Sequence, residues 1–247
     1  MQAKKILLKD ITMPHLPSPY YHFEYNPDST VSRVEFDSQL TMYDVLYNGG
    51  RISEMRNDII VNHDTLRYLY DDAGKVFMII FKNQSNVTYR HVSFMYDGDR
   101  VKEISWDHAE GQVGYLIDRV LTFTYYPDGN VKTIAERRPE QTGVPEFTST
   151  TLFEQYDDKV NVDDFDLVHD GIHDHLFLFQ GFRLQKSNPG KETFFGRSGT
   201  DSAGYSVNYA YTYRNDGTPT LKAGDLLFTA GSQAGQRFQV STSYTYY

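Results

Sequence analysis

Apolar and polar positions alternate with period two along most of the chain, and turn residues interrupt the alternation at intervals. Tyr21, Phe23 and Tyr25 share one face of an extended segment, while His22 and Glu24 take the other. The pattern returns in Tyr43, Val45, Tyr47, in Val92, Phe94, Tyr96, in Leu121, Phe123, Tyr125 and in Tyr209, Tyr211, Tyr213. Such alternation of β-branched and aromatic residues predicts half-buried strands. One dry face and one wet face predict an antiparallel sheet rather than one sandwiched between helices.

Each of these strands ends on a tyrosine followed by a turn. Aligned on that tyrosine, the phrases are FEYNPDSTV (Tyr25), VLYNGGRI (Tyr47), YLYDDAGKV (Tyr70), FMYDGDRV (Tyr96), FTYYPDGNV (Tyr125) and YTYRNDGTP (Tyr213). The first five tyrosines lie 22, 23, 26 and 29 residues apart, an internal repeat with a drifting period. The longer copies place glycine four residues after the tyrosine, at Gly74, Gly129 and Gly217, and Ser29 stands there in the first copy. A type I turn followed by a left-handed glycine closes hairpins of this length. Asn48-Gly49 and Asp97-Gly98 in the shorter copies predict two-residue type I′ turns. The return strands carry pairs spaced by three: Val31/Val34, Ile52/Met55, Val76/Ile79, Val101/Ile104 and Val131/Ile134. That spacing breaks strict alternation and points to a bulge beside the turn.

YDDAGKV is similar to the tyrosine–aspartate (YD) repeat of bacterial RHS-type proteins, and YYPDGNV and YRNDGTP are looser versions. Large RHS proteins wind many such hairpins into a shell around a toxin. This chain is short for that and has no recognisable toxin domain. It resembles more closely a family of small, exported, often lipid-anchored bacterial proteins of unknown function with a porin-like fold. The resemblance spans nearly the whole chain. It implies export to the cell surface or periplasm and a lipid anchor in the full-length form, and it supplies no catalytic residues.

The expected fold is all-β and mainly antiparallel, a hairpin meander curled into a barrel or half-barrel of about 12–14 strands. Residues 1–19 read as a lead-in and 20–247 as a single hairpin-repeat domain. Pro139, Gly143 and Pro145 with nearby Thr and Ser make 136–150 a loop, and 186–204 reads as polar and Gly-rich. Phe165, Val168, Ile172, Leu176 and Phe179 form a stripe at helical spacing, which predicts one short helix near 164–180. A large barrel leaves a lumen, and that helix is the candidate plug.

Composition narrows the functions. The net charge of −9 argues against nucleic acid, whose phosphates require clustered Lys and Arg. The absence of cysteine removes disulfides, thiolate nucleophiles and Cys-based metal sites. MQAKKILLKD lacks an apolar segment of signal-peptide length, so Met1 is read as an expression start rather than the native N-terminus. Charges such as Glu24, Asp44 and Arg67 fall on the polar face, so the apolar face is expected inside. A membrane barrel needs the reverse, and no insertion of the folded domain is expected.

Two clusters invite chemistry. His169, Asp170, His173 and His175 could ligate a divalent ion, since His169 and His173 stand one helical turn apart. The competing reading is a solvated acidic face. Trp106, Tyr115 and Tyr126 are the candidate sugar-stacking rings, against the reading that such aromatics belong to the core. No HExxH, GxSxG or phosphate-loop motif occurs, so neither an enzyme nor a cofactor is expected. The expectation is a non-catalytic surface or periplasmic module that binds carbohydrate, another ligand or a protein partner. The alternative is a purely structural protein-interaction module. An outer-membrane barrel and a metal-dependent protein are weaker rivals.

Overall fold

The computed structural model of the protein describes residues 6–36, 41–57, 63–111, 114–164, 167 and 182–247. Sixteen strands run through them: β1 (Leu8–Thr12), β2 (Tyr21–Tyr25), β3 (Val31–Phe36), β4 (Thr41–Asn48), β5 (Arg51–Asn57), β6 (Thr65–Tyr70), β7 (Val76–Lys82), β8 (Thr88–Asp97), β9 (Arg100–Glu110), β10 (Gly114–Tyr125), β11 (Val131–Arg138), β12 (Phe147–Glu154), β13 (Lys191–Ser198), β14 (Asp201–Tyr213), β15 (Pro219–Ala230) and β16 (Arg237–Tyr246). Every strand is antiparallel to its sequence neighbours, and β16 pairs with β1 to close the barrel. Ile11 lies opposite Tyr244 in that closing pair. Closure is complete rather than half, and it removes the sheet edges on which other chains could pair.

The antiparallel β-barrel class is the expected one, but the strand number is sixteen rather than 12–14. The additional strands are β12, β13 and β15. The first two fall largely in stretches expected to be loops. Thr148–Thr151 and the segment around Gly196 lack the apolar alternation of the repeat, yet each is paired along its length on both sides. Strand β1 lies inside the expected lead-in and is the strand that closes the ring. The helix expected near 164–180 lies, apart from Asp164 and Leu167, outside the described residues.

In every repeat copy the pairing slips by one residue at the tyrosine. Glu24 faces Arg33 but Tyr25 faces Val31, which leaves Ser32 as the extra residue. This bulge explains the three-residue spacing, because it returns Val76 and Ile79, or Val101 and Ile104, to the same buried face. Ser29 adopts φ 69°, the left-handed conformation that Gly74 takes at 81° in the equivalent turn. In the shorter copies the turn sits one residue later than expected. Asn48 and Asp97 remain paired with Arg51 and Arg100, so the loops are Gly49-Gly50 and Gly98-Asp99.

The repeated tyrosine joins neighbouring hairpins. The Tyr47 hydroxyl donates to the Val31 carbonyl at 2.8 Å, Tyr70 to Ile52 at 2.6 Å, Tyr96 to Val76 at 2.8 Å and Tyr125 to Val101 at 2.7 Å. Each acceptor is the first or second residue of the return strand of the preceding hairpin, beside the bulge where the ladder is interrupted. Arg51, Lys75 and Arg100 lie over the rings of Tyr70, Tyr96 and Tyr125 at 5.4–5.5 Å, adding a cation–π contact to three of these latches. Burial pushes the Tyr70 hydroxyl pKa up to about 12, so it stays a donor.

Side chains that alternate inward form one apolar cluster within the barrel. Tyr21, Phe23, Phe81, Ile104 and Leu121 are each no more than 2% exposed. Outward positions carry ion pairs, including Arg33 with Asp44 at 2.7 Å and Arg56 and Arg67 on Glu54 at 2.8 and 3.0 Å.

Candidate functional site: a cavity in the C-terminal half of the barrel

The lumen beside β2–β11 is filled by the apolar cluster. Beside β11–β16 it holds a cavity of about 500 Å³. Cross-strand register builds its wall in rows. One runs Ile134, Thr151, Phe194, Tyr205, and the next Phe153, Glu192, Val207, Leu226. Closer to the tyrosine turns lie Tyr209, Gly224, Val240 and then Tyr211, Lys222, Thr242. Ser149 and Thr151 share the inward phase of buried Phe153 on β12, and these short polar side chains leave space where the cavity lies. Gly224 has a packing reason, since a Cβ there would come within 2.7 Å of Val207 and Val240.

The connection from β12 to β13 supplies one end of the site. Its two legs enter from the tyrosine-turn end, where Phe182 meets Phe94 edge-on at 6.1 Å and Leu184 is fully buried. Asp164 ties the legs together. Its carboxylate accepts the Leu184 and Gln185 backbone N–H groups at 2.9 and 3.1 Å and the Asn161 amide at 2.9 Å. Loss of water raises its pKa to about 6, and those hydrogen bonds only partly offset the rise. Asn161, Asp163, Leu167, Gln185 and Pro189 from this connection line the cavity, and Met13, Pro14 and His15 line it from the opposite end.

The polar groups of the wall are held in place. Glu192 accepts the Tyr205 and Tyr209 hydroxyls, both at 2.9 Å. The Lys222 ammonium stands 4.6 Å above the Tyr209 ring. Asp163 accepts the Tyr244 hydroxyl at 2.6 Å. Burial and the neighbouring Glu192 charge push the Tyr205 pKa up, keeping it a hydroxyl donor. Glu136 takes Arg119 in a bidentate pair at 3.0 and 3.1 Å and Arg138 at 2.6 Å. Burial works to raise its pKa, but the two guanidiniums outweigh burial and hold it below the usual carboxylate range.

The rings expected to stack on sugar do not share a site. Trp106 is 1% exposed under the Arg119 guanidinium, 5.1 Å from the ring centre, so it belongs to the core, the reading weighed against sugar stacking. Its phase with Ile104 along β9 is the signal for that placement. Tyr115 is 45% exposed and its ring lies 4.2 Å from His91 at the start of β10. Tyr126 follows the other end of β10 and donates to the Phe153 carbonyl at 3.0 Å. His169, Asp170, His173 and His175 lie outside the described residues. Among the described residues no group of three or more His, Cys, Asp or Glu could hold a metal ion. Sequence reasoning did not single out Glu192, Lys222 or Asp163 as one site, because only strand register brings them together.

No protein-family model and no curated protein matches the chain. Among solved structures it is similar to a porin-like protein from Bacteroides uniformis ATCC 8492, at TM-score 0.63 and 14% identity over 98% of this chain and 95% of that one. A porin-like protein from Bacteroides vulgatus ATCC 8482 gives TM-score 0.63 and 14% identity over 98% and 99% of the two chains. At that identity the likeness is one of architecture: the chain has the closed antiparallel barrel fold of these porin-like proteins.

Proposed function

We propose that this chain is a non-catalytic binding protein that takes a small ligand, carbohydrate or another compound of similar size, into its C-terminal cavity. The carrying observation is the contrast within one barrel. The buried apolar cluster occupies the β2–β11 side of the lumen, while the β11–β16 side keeps about 500 Å³ lined by tyrosines and positioned charges. Small-molecule sites span roughly 300–1,000 Å³ and combine apolar walls with a few fixed polar groups.

The proposal extends to setting. The protein works outside the cytoplasm, at the cell surface or in the periplasm, tethered by a lipid in its full-length form and not inserted as a pore. The porin-like architecture of its structural neighbours supports export. The outward ion pairs and the apolar filling of the lumen support a water-facing barrel, since a membrane barrel is apolar outside and polar within. The tyrosine hairpin supports placing its architecture beside the YD repeat. A purely structural, protein-binding role is the second reading, favoured by the latched and filled N-terminal half.

The test is a thermal-shift screen of the purified protein against glycans and other small molecules, alongside the cavity-filling variant Thr151→Phe. A ligand that binds the native state raises the melting temperature by mass action. The expected outcome is a shift in the native protein that the variant lacks. A shift retained in the variant would remove the cavity from consideration.

A further inference from the structure

Resting on the reading of the C-terminal cavity as a ligand site, we infer that its ligand enters through the side of the barrel, between the edge of β16 and the connection from β1 to β2. Gln239 and Ser241 on that edge, with Met13, Pro14 and His15 of the connection, set the size of what passes.

Unequal strand lengths create the opening. β1 pairs with β16 from Leu8 to Thr12, and the last of these pairs joins Thr12 to Ser243. β16 starts further out, at Arg237. Among the described residues, Arg237–Thr242 pair with β15 alone. Closure of the ring therefore holds where β1 and β16 overlap, and beyond Thr12 the wall has a step.

The cavity lining follows that step. A strand that forms part of a wall shows one face, every second residue, to the interior. β11–β15 each contribute residues of a single phase, such as Ser149, Thr151 and Phe153 from β12. β16 instead contributes Gln239, Val240, Ser241 and Thr242 in succession. Gln239 belongs to the outer face, where its amide donates to Asp225 at 3.2 Å beside Arg237 on the same carboxylate at 2.7 Å. A space that touches both Val240 and Gln239 passes around the edge of the strand. Met13, Pro14 and His15, the first residues after β1, line the same space.

Exposure changes at the same place. Along the inward phase of β16, Tyr244 and Thr242 are 4% and 6% exposed, whereas Val240 and Phe238 are 38% and 46% exposed. The rise begins where β1 ends. It does not mark the open mouth of the barrel, because Gly224, level with Val240 on the neighbouring strand, is buried.

The chain has no cysteine, so one placed on the far wall reports access to the cavity without background. The experiment is the labelling rate of Thr151→Cys in the folded whole chain, at one pH, by methyl methanethiosulfonate and by the bulkier fluorescein-5-maleimide. Adding Gln239→Trp and Ser241→Trp should slow labelling about tenfold or more, the larger reagent most. Pro14→Gly, which loosens the other lip, should speed the larger reagent. Leu116→Trp, a bulky change at an exposed position outside the cavity lining, should leave both rates unchanged. If the paired tryptophans prevent folding, Gln239→Trp alone and Pro14→Gly carry the test. Rates indifferent to Gln239, Ser241 and Pro14 would put the entrance elsewhere and overturn the inference, while the thermal-shift screen still judges the cavity. No labelling of Thr151→Cys in the folded chain would mean a sealed cavity and sink both readings.

Discussion

Along β2–β11 the inward positions carry residues such as Tyr21, Phe23, Phe81, Ile104 and Leu121, each nearly or fully removed from solvent. Along β12–β16 the inward positions carry Ser149, Thr151, Glu192, Lys222 and Gly224 as well as rings. The backbone pairing is equally regular in both. What differs is whether the side chains fill the interior. Large apolar side chains at native packing density give the first half its stability. Smaller and charged ones give the second half a space whose chemistry is fixed by tyrosine hydroxyls. Sites that leave groups unfilled or charged lower stability, and the rest of the molecule offsets that.

Core truncation is the largest way to break this contrast. Phe81→Ala, in the filled half, should cost about 3–5 kcal/mol in urea unfolding of the whole chain. Leu226→Ala, which faces space that already exists, should cost less than about 1.5 kcal/mol. Equal losses would mean that the halves do not differ in packing.

The junction between the halves comes next. Asp164→Ala leaves two backbone N–H groups without their carboxylate and should cost about 1–3 kcal/mol. The same residue gives a pH signature. Its folded pKa of about 6 lies above the ordinary 3.8, so between those values the folded chain binds the proton more tightly than the unfolded chain. Its contribution to stability is therefore fully present below the unfolded value and is lost as pH rises through about 6. The melting temperature of the native protein should gain on that of Asp164→Asn from pH 7 down to pH 4. A carboxyl carbon NMR titration of Asp164 with its midpoint near the ordinary value would refute this.

The smallest effect concerns the latches. Tyr96→Phe removes one hydroxyl donor from the Val76 carbonyl and should cost about 0.5–1.5 kcal/mol. Its loss should leave ligand binding in the other half unchanged, as measured by calorimetry. A change in that affinity would show that the halves are coupled.

The filled half was the legible half. Tyrosine, turn and β-branched return residue recur there in sequence, and the Val76/Ile79 spacing already signals the bulge. The strands β12 and β13 were not legible, because Thr148–Thr151 and Gly196 carry the composition of a loop. Their strand state depends on neighbours on both sides, which no local pattern records. The site failed for a related reason. Glu192, Tyr209 and Lys222 belong to three strands, and only register makes them neighbours. The core placement of Trp106 was readable from its phase with Ile104 along β9.

The latches also have a direction in time. Tyr25 reaches Leu8, Tyr47 reaches Val31, Tyr156 reaches Val131 and Tyr246 reaches Pro219, so each donor lies later in the chain than its acceptor. A polypeptide emerging N-terminus first finds each docking point already made when the next hairpin arrives. Assembly can then proceed as successive local additions, without waiting for distant segments, until β16 meets β1. A hairpin inserted or deleted as a unit keeps the same rule with its new neighbours. Growth or shrinkage of the ring by whole hairpins is thus a change of circumference that requires no new chemistry.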